Sequence, residues 1–265
     1  MQLSAFLDLH RPALEEDQAR HNLMLGLLAA ALHEPKPELR LWSLGIPGEC
    51  AVQTPGRAVI LGNLRAEQSH RFAEETVDLG LPGVLGPDDT ATWFAQRASE
   101  LGVRFREPIR QQIHALSEPP TYPGAPGHPR PVGPGDATLF ADWITCFIRE
   151  AAPHDPIAPR ERLEARAGDG QHWFWIVDDE PVSLAGIVRR TRDAAAIAAV
   201  YTPPYCRNRG FAGSIVAAVV ERIFAEGRKT ACLYTDLNNP ASNRCYAKVG
   251  FRPVCNSWLY LRDTG

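Results

Sequence analysis

No apolar run in this sequence reaches the length of a membrane span. The longest, "LMLGLLAAAL" at residues 23–32, is about half of what a crossing helix needs and reads as a buried helix. A charge excess of one sign is missing too. The formal net charge is −3 and the pI is near 6.2, which argues against a nucleic-acid coat. The start, "MQLSAFLDLHRPALEED", turns acidic early and carries no secretory cleavage pattern, so a cytoplasmic protein with no membrane partner is expected. Six cysteines (Cys50, Cys146, Cys206, Cys232, Cys245 and Cys255) form no C-x-x-C pair and match no zinc spacing. Free, mostly buried thiols are expected, and no metal. Two familiar phosphate signatures are also lacking. There is no P-loop lysine followed by Ser or Thr, and the dinucleotide pattern G-x-G-x-x-G is reduced to Gly210 and Gly213.

What is present suffices for a sizeable core. At 265 residues and 45% hydrophobic, the chain makes one large domain or two small ones. A composition break divides it. Residues 118–134, "EPPTYPGAPGHPRPVGP", hold seven prolines, which rule out a helix or a central strand. They read as an extended, partly ordered connector. Before it, helices are expected at 13–33, 65–79 and 87–102, with strands at 40–45, 50–61 and 103–115. After it, the pattern predicts a helix over 136–151, a hairpin around the acidic turn Asp178-Asp179-Glu180, and a strand ending at Thr202. Then come a long helix, the strand "TACLYTDL", the short helix "PASNRCYAKV" and a closing strand. Alternation of this kind means an α/β or α+β fold.

The most informative stretch is "TPPYCRNRGFAGSIVAAVVERIFAEG", residues 202–227. Ile215, Val216, Val219, Val220, Ile223 and Phe224 recur at helical spacing as one apolar stripe. The helix therefore packs on a sheet, and its N-terminus opens at the end of a strand. Unpaired amides and partial positive charge at such an end suit phosphate. Gly210 removes a Cβ from the approach and Ala212 keeps the next one small. Arg207 and Arg209 can add charge-assisted hydrogen bonds. The bland alternative is a helix start with solvated charge. Cys206 lies beside this turn, but no histidine stands nearby in sequence to activate it.

The pattern R-x-x-G-x-A, formed by Arg207, Gly210 and Ala212, resembles the acyl-CoA pyrophosphate loop of the Gcn5-related N-acetyltransferase (GNAT) superfamily. A second motif agrees. "CLYTDLNNPASNRCYAKVGF", residues 232–251, is similar to the family's next strand and helix, N-x-x-S/A-x-x-x-Y-x-x-x-G-F. Asn239 suits an N-cap and Pro240 the first helical position, and Asn239, Asn243 and Tyr246 share one helix face. The likeness covers about residues 136–263 and is nearest the FR47-type, glycine N-acyltransferase-like branch. "LPGVLGP" at 81–87 looks like the amino-terminal half of two-part members, although that half lacks the R-x-x-G-x-A pattern.

The resemblance implies a mixed, mostly antiparallel sheet, splayed near residues 200–202 and flanked by helices, in two tandem GNAT-like halves. The degenerate half would be 1–117, the connector 118–134 and the catalytic half 135–265. It implies acetyl-CoA as donor and the amine of a small molecule as acceptor, joined by direct attack in a ternary complex; a homodimer is compatible with it. An inactive acyl-CoA-binding or sensing protein is the alternative. Cofactor contacts would come from Val200, Tyr201 and Thr202 on the strand and from Arg207, Asn208, Arg209, Gly210, Phe211, Ala212 and Gly213 on the turn. Asn239 and Asn243 would join them from the short helix. Tyr246 would be the general acid, though a tyrosine there also reads as an ordinary amphipathic core residue. For the general base, Asp236, His172, Glu180 and Glu150 stay open. Trp173, Trp175 and Tyr201 read either as core or as acceptor-pocket walls.

Overall fold

The computed structural model describes residues 2–33 and 39–264. Its compact units are Met1–Ile113 with Thr235–Asn238 and Pro253–Gly265, and His114–Tyr234 with Asn239–Arg252. This division departs from the boundaries read in the sequence, and strand pairing is the reason. The closing strand β11 (Arg252–Leu261) is antiparallel to β4 (Gly83–Pro87), with Tyr260 opposite Val84. The chain end thus completes the sheet of the first unit. The proline-rich residues belong to the second unit instead of standing between the two.

The first unit contains α1 (Leu3–Glu15), α2 (Asn22–His33), β1 (Arg40–Ser43), β2 (Cys50–Gln53), β3 (Val59–Leu61), α3 (Ala66–Thr76), β4 and α4 (Asp88–Glu100). β5 (Ile109–Leu116) begins in this unit and ends in the other. Where one helix was expected over 13–33 there are two, because the Asp17 carboxylate accepts the Arg20 backbone N–H at 3.1 Å and turns the chain. The expected strand 50–61 is likewise broken. Pro55 and left-handed Gly56 (φ 79°) sit at the centre of a turn closed by Arg57 N–H donating to the Thr54 carbonyl at 3.0 Å. Successive strand residues face opposite ways. Ala51 packs with Phe72 and Phe94 of α3 and α4, while Cys50 and Val52 pack with Phe6, Leu14, Met24 and Leu28 of α1 and α2. Helices therefore cover both faces.

The second unit carries β6 (His128–Pro131), α5 (Ala137–Ala151), α6 (Arg160–Glu164), β7 (His172–Val177), β8 (Glu180–Arg190), β9 (Ala194–Tyr201), α7 (Phe211–Ala225), most of β10 (Thr230–Asp236) and α8 (Pro240–Val249). Strands β6 to β10 follow in order, antiparallel except for the parallel pair β9–β10. The expected hairpin joins β7 and β8. Asp178 and Asp179 both take left-handed φ (50° and 64°), as a two-residue type I′ turn requires. The stretch read as a loose connector contains β6, in which Pro129 and Pro131 pair opposite Trp175 and Trp173. Proline is tolerated there because β6 ends the strand order and needs no donors on its outer side.

Two apolar layers sandwich this sheet. Phe174 and Ile176 of β7 face Phe140, Trp143 and Ile144 of α5, whereas Trp175 faces the α7 side. On α7 the stripe is sealed: Ile215, Val216, Val219, Val220 and Ile223 are each at most 1% exposed. Burial of such side chains stabilises by roughly 1.5–3 kcal/mol apiece, enough to hold the start of α7 firmly at the end of β9.

Candidate functional site

The site begins with an irregularity in β9. Leu184 lies opposite Tyr201 and Gly186 opposite Ala198, so β9 spends one extra residue where β8 spends none. Ala199 absorbs it with φ 55°, a bulge that re-aims the backbone around Val200. The parallel ladder with β10 ends just before this point, at Ile197 opposite Leu233. The bulged end of β9 therefore stays paired with β8 but lies beyond its ladder with β10, where the resemblance implies a splay.

Beyond Tyr201 the chain turns through residues 202–210 into α7. Asn208 (φ 61°) and Gly210 (φ 86°) are left-handed. Positive φ at both positions bends the chain sharply from extended Arg207 into the helix, whose first-turn amides then face outward along its axis. The first backbone bond of the helix is Ser214 N–H to the Gly210 carbonyl, 3.1 Å. The amides of Phe211, Ala212 and Gly213 precede it and have no acceptor within the helix. Gly210 is the N-cap, and no side chain caps this end among the described residues. Ala212 is half-buried, and Phe211 and Gly213 are buried.

The flanking side chains are more committed than the sequence suggested. The Arg207 Nη2 sits 2.5 Å from the Glu150 carboxylate on α5, and its Nε donates to the Thr202 carbonyl at 2.9 Å. The Tyr201 hydroxyl donates to the same Glu150 at 3.4 Å, and burial raises its pKa, with Cys146 as a further cause. Ser183 donates to the Tyr201 carbonyl at 3.1 Å and shares a 2.8 Å bond with the Thr202 hydroxyl. Arg209 instead stacks over the Phe211 ring, 4.8 Å from its centroid. Cys206 is buried in the α7-side core.

On α8 the Asn239 side chain accepts the Ser242 N–H at 3.1 Å, a helix cap in the expected position. Left-handed Gly250 (φ 119°) closes the other end. Tyr246 is 8% exposed and packs with Phe251 in the α7-side core. Burial lifts its phenol well above the ordinary tyrosine range, Cys245 adds to this and a Ser242 hydrogen bond opposes it, so the proton stays on. Asn243 is half-buried on the same helix.

Among the base candidates, His172 is 1% exposed and enclosed by Phe140 and by Gly186, where a Cβ would fall 2.4 Å from its ring. Burial, helped by Arg166 and opposed by Asp169, lowers its pKa and keeps it neutral. It is a core histidine. Glu180 is exposed where the β7–β8 hairpin begins its return strand. Asp236 accepts the Asn238 N–H at 2.8 Å, the loop-capping role of an acid at a strand end. Glu150, joined to both Arg207 and Tyr201, is the candidate that the fold brings to the turn. Trp175 gives its indole N–H to the Pro126 carbonyl at 3.0 Å, and Trp173 packs against the α7-side core. Both are structural, and the sequence had no signal for the Pro126 partner.

The corresponding strand-to-helix passage of the first unit, from β3 to α3, takes only residues 62–65. Its Arg65 is held at 2.6 Å by the buried carboxylate of Glu49. Among the described residues, no three His, Cys, Asp or Glu side chains gather as a metal would require, and no helix is long and apolar enough to cross a membrane.

Residues 176–259 match the family described as "FR47-like protein". No curated protein matches the chain. Three solved structures share its architecture at low identity. A Drosophila protein aligns with a TM-score of 0.70 at 14% identity, over 98% of this chain and 97% of its own. A GCN5-related N-acetyltransferase from Kribbella flavida aligns at 0.61 and 14%, over 93% and 96%. A tandem GNAT protein from the clavulanic acid biosynthesis pathway aligns at 0.55 and 13%, over 90% and 87%. The chain thus carries an FR47-like segment at residues 176–259 and shares the fold of these GNAT structures.

Proposed function

We propose that the protein is an acyl-CoA-dependent N-acyltransferase, with acetyl-CoA as donor and a small-molecule amine as acceptor. The observation that carries this reading is the turn at residues 207–213. Two left-handed residues and the open amides of α7 stand directly after the bulged end of β9. That cradle fits a pyrophosphate, and the bulge leaves the Val200 region to meet the arm that follows it.

An acyl-CoA would supply the activated acyl thioester. The chain's own residues bind, orient and handle protons. The amides of Phe211, Ala212 and Gly213 hold the pyrophosphate oxygens. The backbone N–H near Val200 polarises the thioester carbonyl as charge develops on its oxygen. Acyl transfer forms an N–C bond and breaks the C–S bond. Tyr246, kept protonated by burial, donates a proton to the departing sulfur. The amine proton leaves through water, since Glu150 is held at the phosphate end of the site by Arg207. Positioning of the two reactants does the rest.

A second reading has one observation in its favour. Tyr246 is enclosed by the core, as in a protein that binds acyl-CoA without turning it over. Acetyl-CoA with a panel of amino acids, polyamines and a lysine-bearing peptide, followed by free-thiol release, separates the two. Thiol release with a small amine supports the enzyme. CoA binding with no release for any amine supports the binding protein.

A further inference from the structure

The proline-rich residues 118–127 lie across the phosphate-binding turn, fastened at three points. The Tyr122 hydroxyl donates to the Gly210 carbonyl at 3.2 Å, the Ala125 amide donates to Ser214 Oγ at 2.7 Å, and the Pro126 carbonyl takes the Trp175 indole N–H. The Tyr122 ring fills the space beside Gly213 so closely that a Cβ there would fall 2.4 Å from Tyr122 Cζ. Burial keeps the phenol protonated and therefore a donor.

What the strap takes from the turn is specific. It uses one carbonyl and one hydroxyl, and its bonds spare the amides of Phe211, Ala212 and Gly213. The Gly210 carbonyl receives three donors: Tyr122 Oη, Ser214 N and Ser214 Oγ at 3.2, 3.1 and 3.2 Å. That carbonyl and the Phe211 N–H belong to one planar peptide unit and point in opposite directions. Pinning the oxygen fixes the direction of the N–H. A left-handed glycine such as Gly210 is otherwise a loose joint.

We propose that Tyr122 is a positioning residue of the acyl-donor site: with the strap it pins the Gly210–Phe211 peptide and preorganises the turn for the pyrophosphate of a CoA ester. The inference rests on the acyl-CoA reading above. It makes the connector a working part of the site and explains why residue 213 is a glycine inside a helix. Alanine has the better helix propensity, but its methyl group would displace the Tyr122 ring.

The test is calorimetric titration of the full-length protein with CoA. The proteins are wild type, Tyr122→Phe, Gly213→Ala, Tyr122→Ala and the Gly213→Ala/Tyr122→Ala pair, each with its unliganded melting temperature. Tyr122→Phe keeps the ring and loses the hydroxyl, so the free turn samples other orientations and CoA affinity falls about fivefold, while the unliganded melting temperature drops by no more than the loss of one neutral hydrogen bond allows. Gly213→Ala weakens CoA at least as much in the wild-type background, but adds nothing once Tyr122 is alanine, because the collision is gone. Wild-type binding with all variants within twofold would overturn the inference, as would losses that follow melting temperature alone. If wild type binds no CoA, the acyl-CoA reading itself fails and takes the inference with it.

Discussion

Arg207 and Glu150, 57 residues apart in sequence, meet at 2.5 Å across the mouth of the second unit's turn. Their side chains are 42% and 46% exposed, and a pair this open is worth at most about 1 kcal/mol. A pyrophosphate arriving at the turn competes with Glu150 for the guanidinium. Glu150→Gln should therefore tighten CoA binding by up to about fivefold while leaving stability within ~1 kcal/mol. Arg207→Ala should weaken it. Parallel CoA titrations and denaturant melts check both, and equal affinity in all three proteins would remove Arg207 from the site.

Ala199 stores strain where β9 bulges. A side chain at φ 55° costs roughly 1–2 kcal/mol relative to glycine, partly offset by the extra freedom a glycine has when unfolded. Ala199→Gly is thus expected to be neutral or stabilising by up to about 1 kcal/mol, and Ala199→Val clearly destabilising because a β-branched residue resists this conformation. Urea melts of the three proteins measure it. A bulge without strain would give a destabilised glycine variant.

Tyr246→Phe should keep CoA affinity nearly unchanged and lower kcat by on the order of 10²-fold or more. Because burial pushes the phenol above its ordinary value of 10, an acid that must be protonated stays so across the whole working range. The pH profile of kcat should show no fall below about pH 10 assignable to this group. Single-turnover rates with an accepted amine decide the point, and an unchanged rate in the phenylalanine variant would mean that water supplies the proton.

Acid stability depends on buried neutral histidines. In the first unit, burial lowers the His21 pKa from 6.5 to about 4, with Arg20 acting in the same direction and Asp17 against it. Between those values the unfolded chain binds a proton that the folded chain refuses. Stability is full above about pH 6.5 and falls as the pH drops toward 4, by on the order of 3 kcal/mol from this residue. His172 contributes with the same sign in the second unit. Melts from pH 7 to pH 4 should show the decline, and His21→Gln should flatten it. A variant as steep as wild type would assign the slope elsewhere.

The left-handed turn before α7, the helix itself and the Asn239 cap were legible because each is written locally. A glycine that must be left-handed, a stripe at helical spacing and an asparagine before a proline all act within a few residues. The Asp178-Asp179 turn is local in the same way. What the sequence concealed depends on distant partners. Prolines 129 and 131 ruled out a central strand but not an edge strand, and only β7 reveals which it is. Ala125 and Ser214 are 89 residues apart, and Pro126 and Trp175 are 49 apart, so nothing near residue 122 announces that it braces a turn. The pairing of β11 with β4 is hidden for the same reason, since the two strands meet from far apart in the chain. His172 looked like a candidate base because burial is invisible in a sequence; Phe140 and Gly186 enclose it.

The most direct test of the account is titration of wild type and Gly210→Glu with acetyl-CoA, CoA and NADH. Gly210 is left-handed, and a Cβ there would fall 3.1 Å from Tyr122 Oη, so glutamate brings strain, crowding and a repelling charge to the turn. The account predicts that wild type binds both CoA species and ignores NADH, and that Gly210→Glu loses the CoA species while remaining folded. Binding of acetyl-CoA by a folded Gly210→Glu variant at wild-type affinity would contradict it.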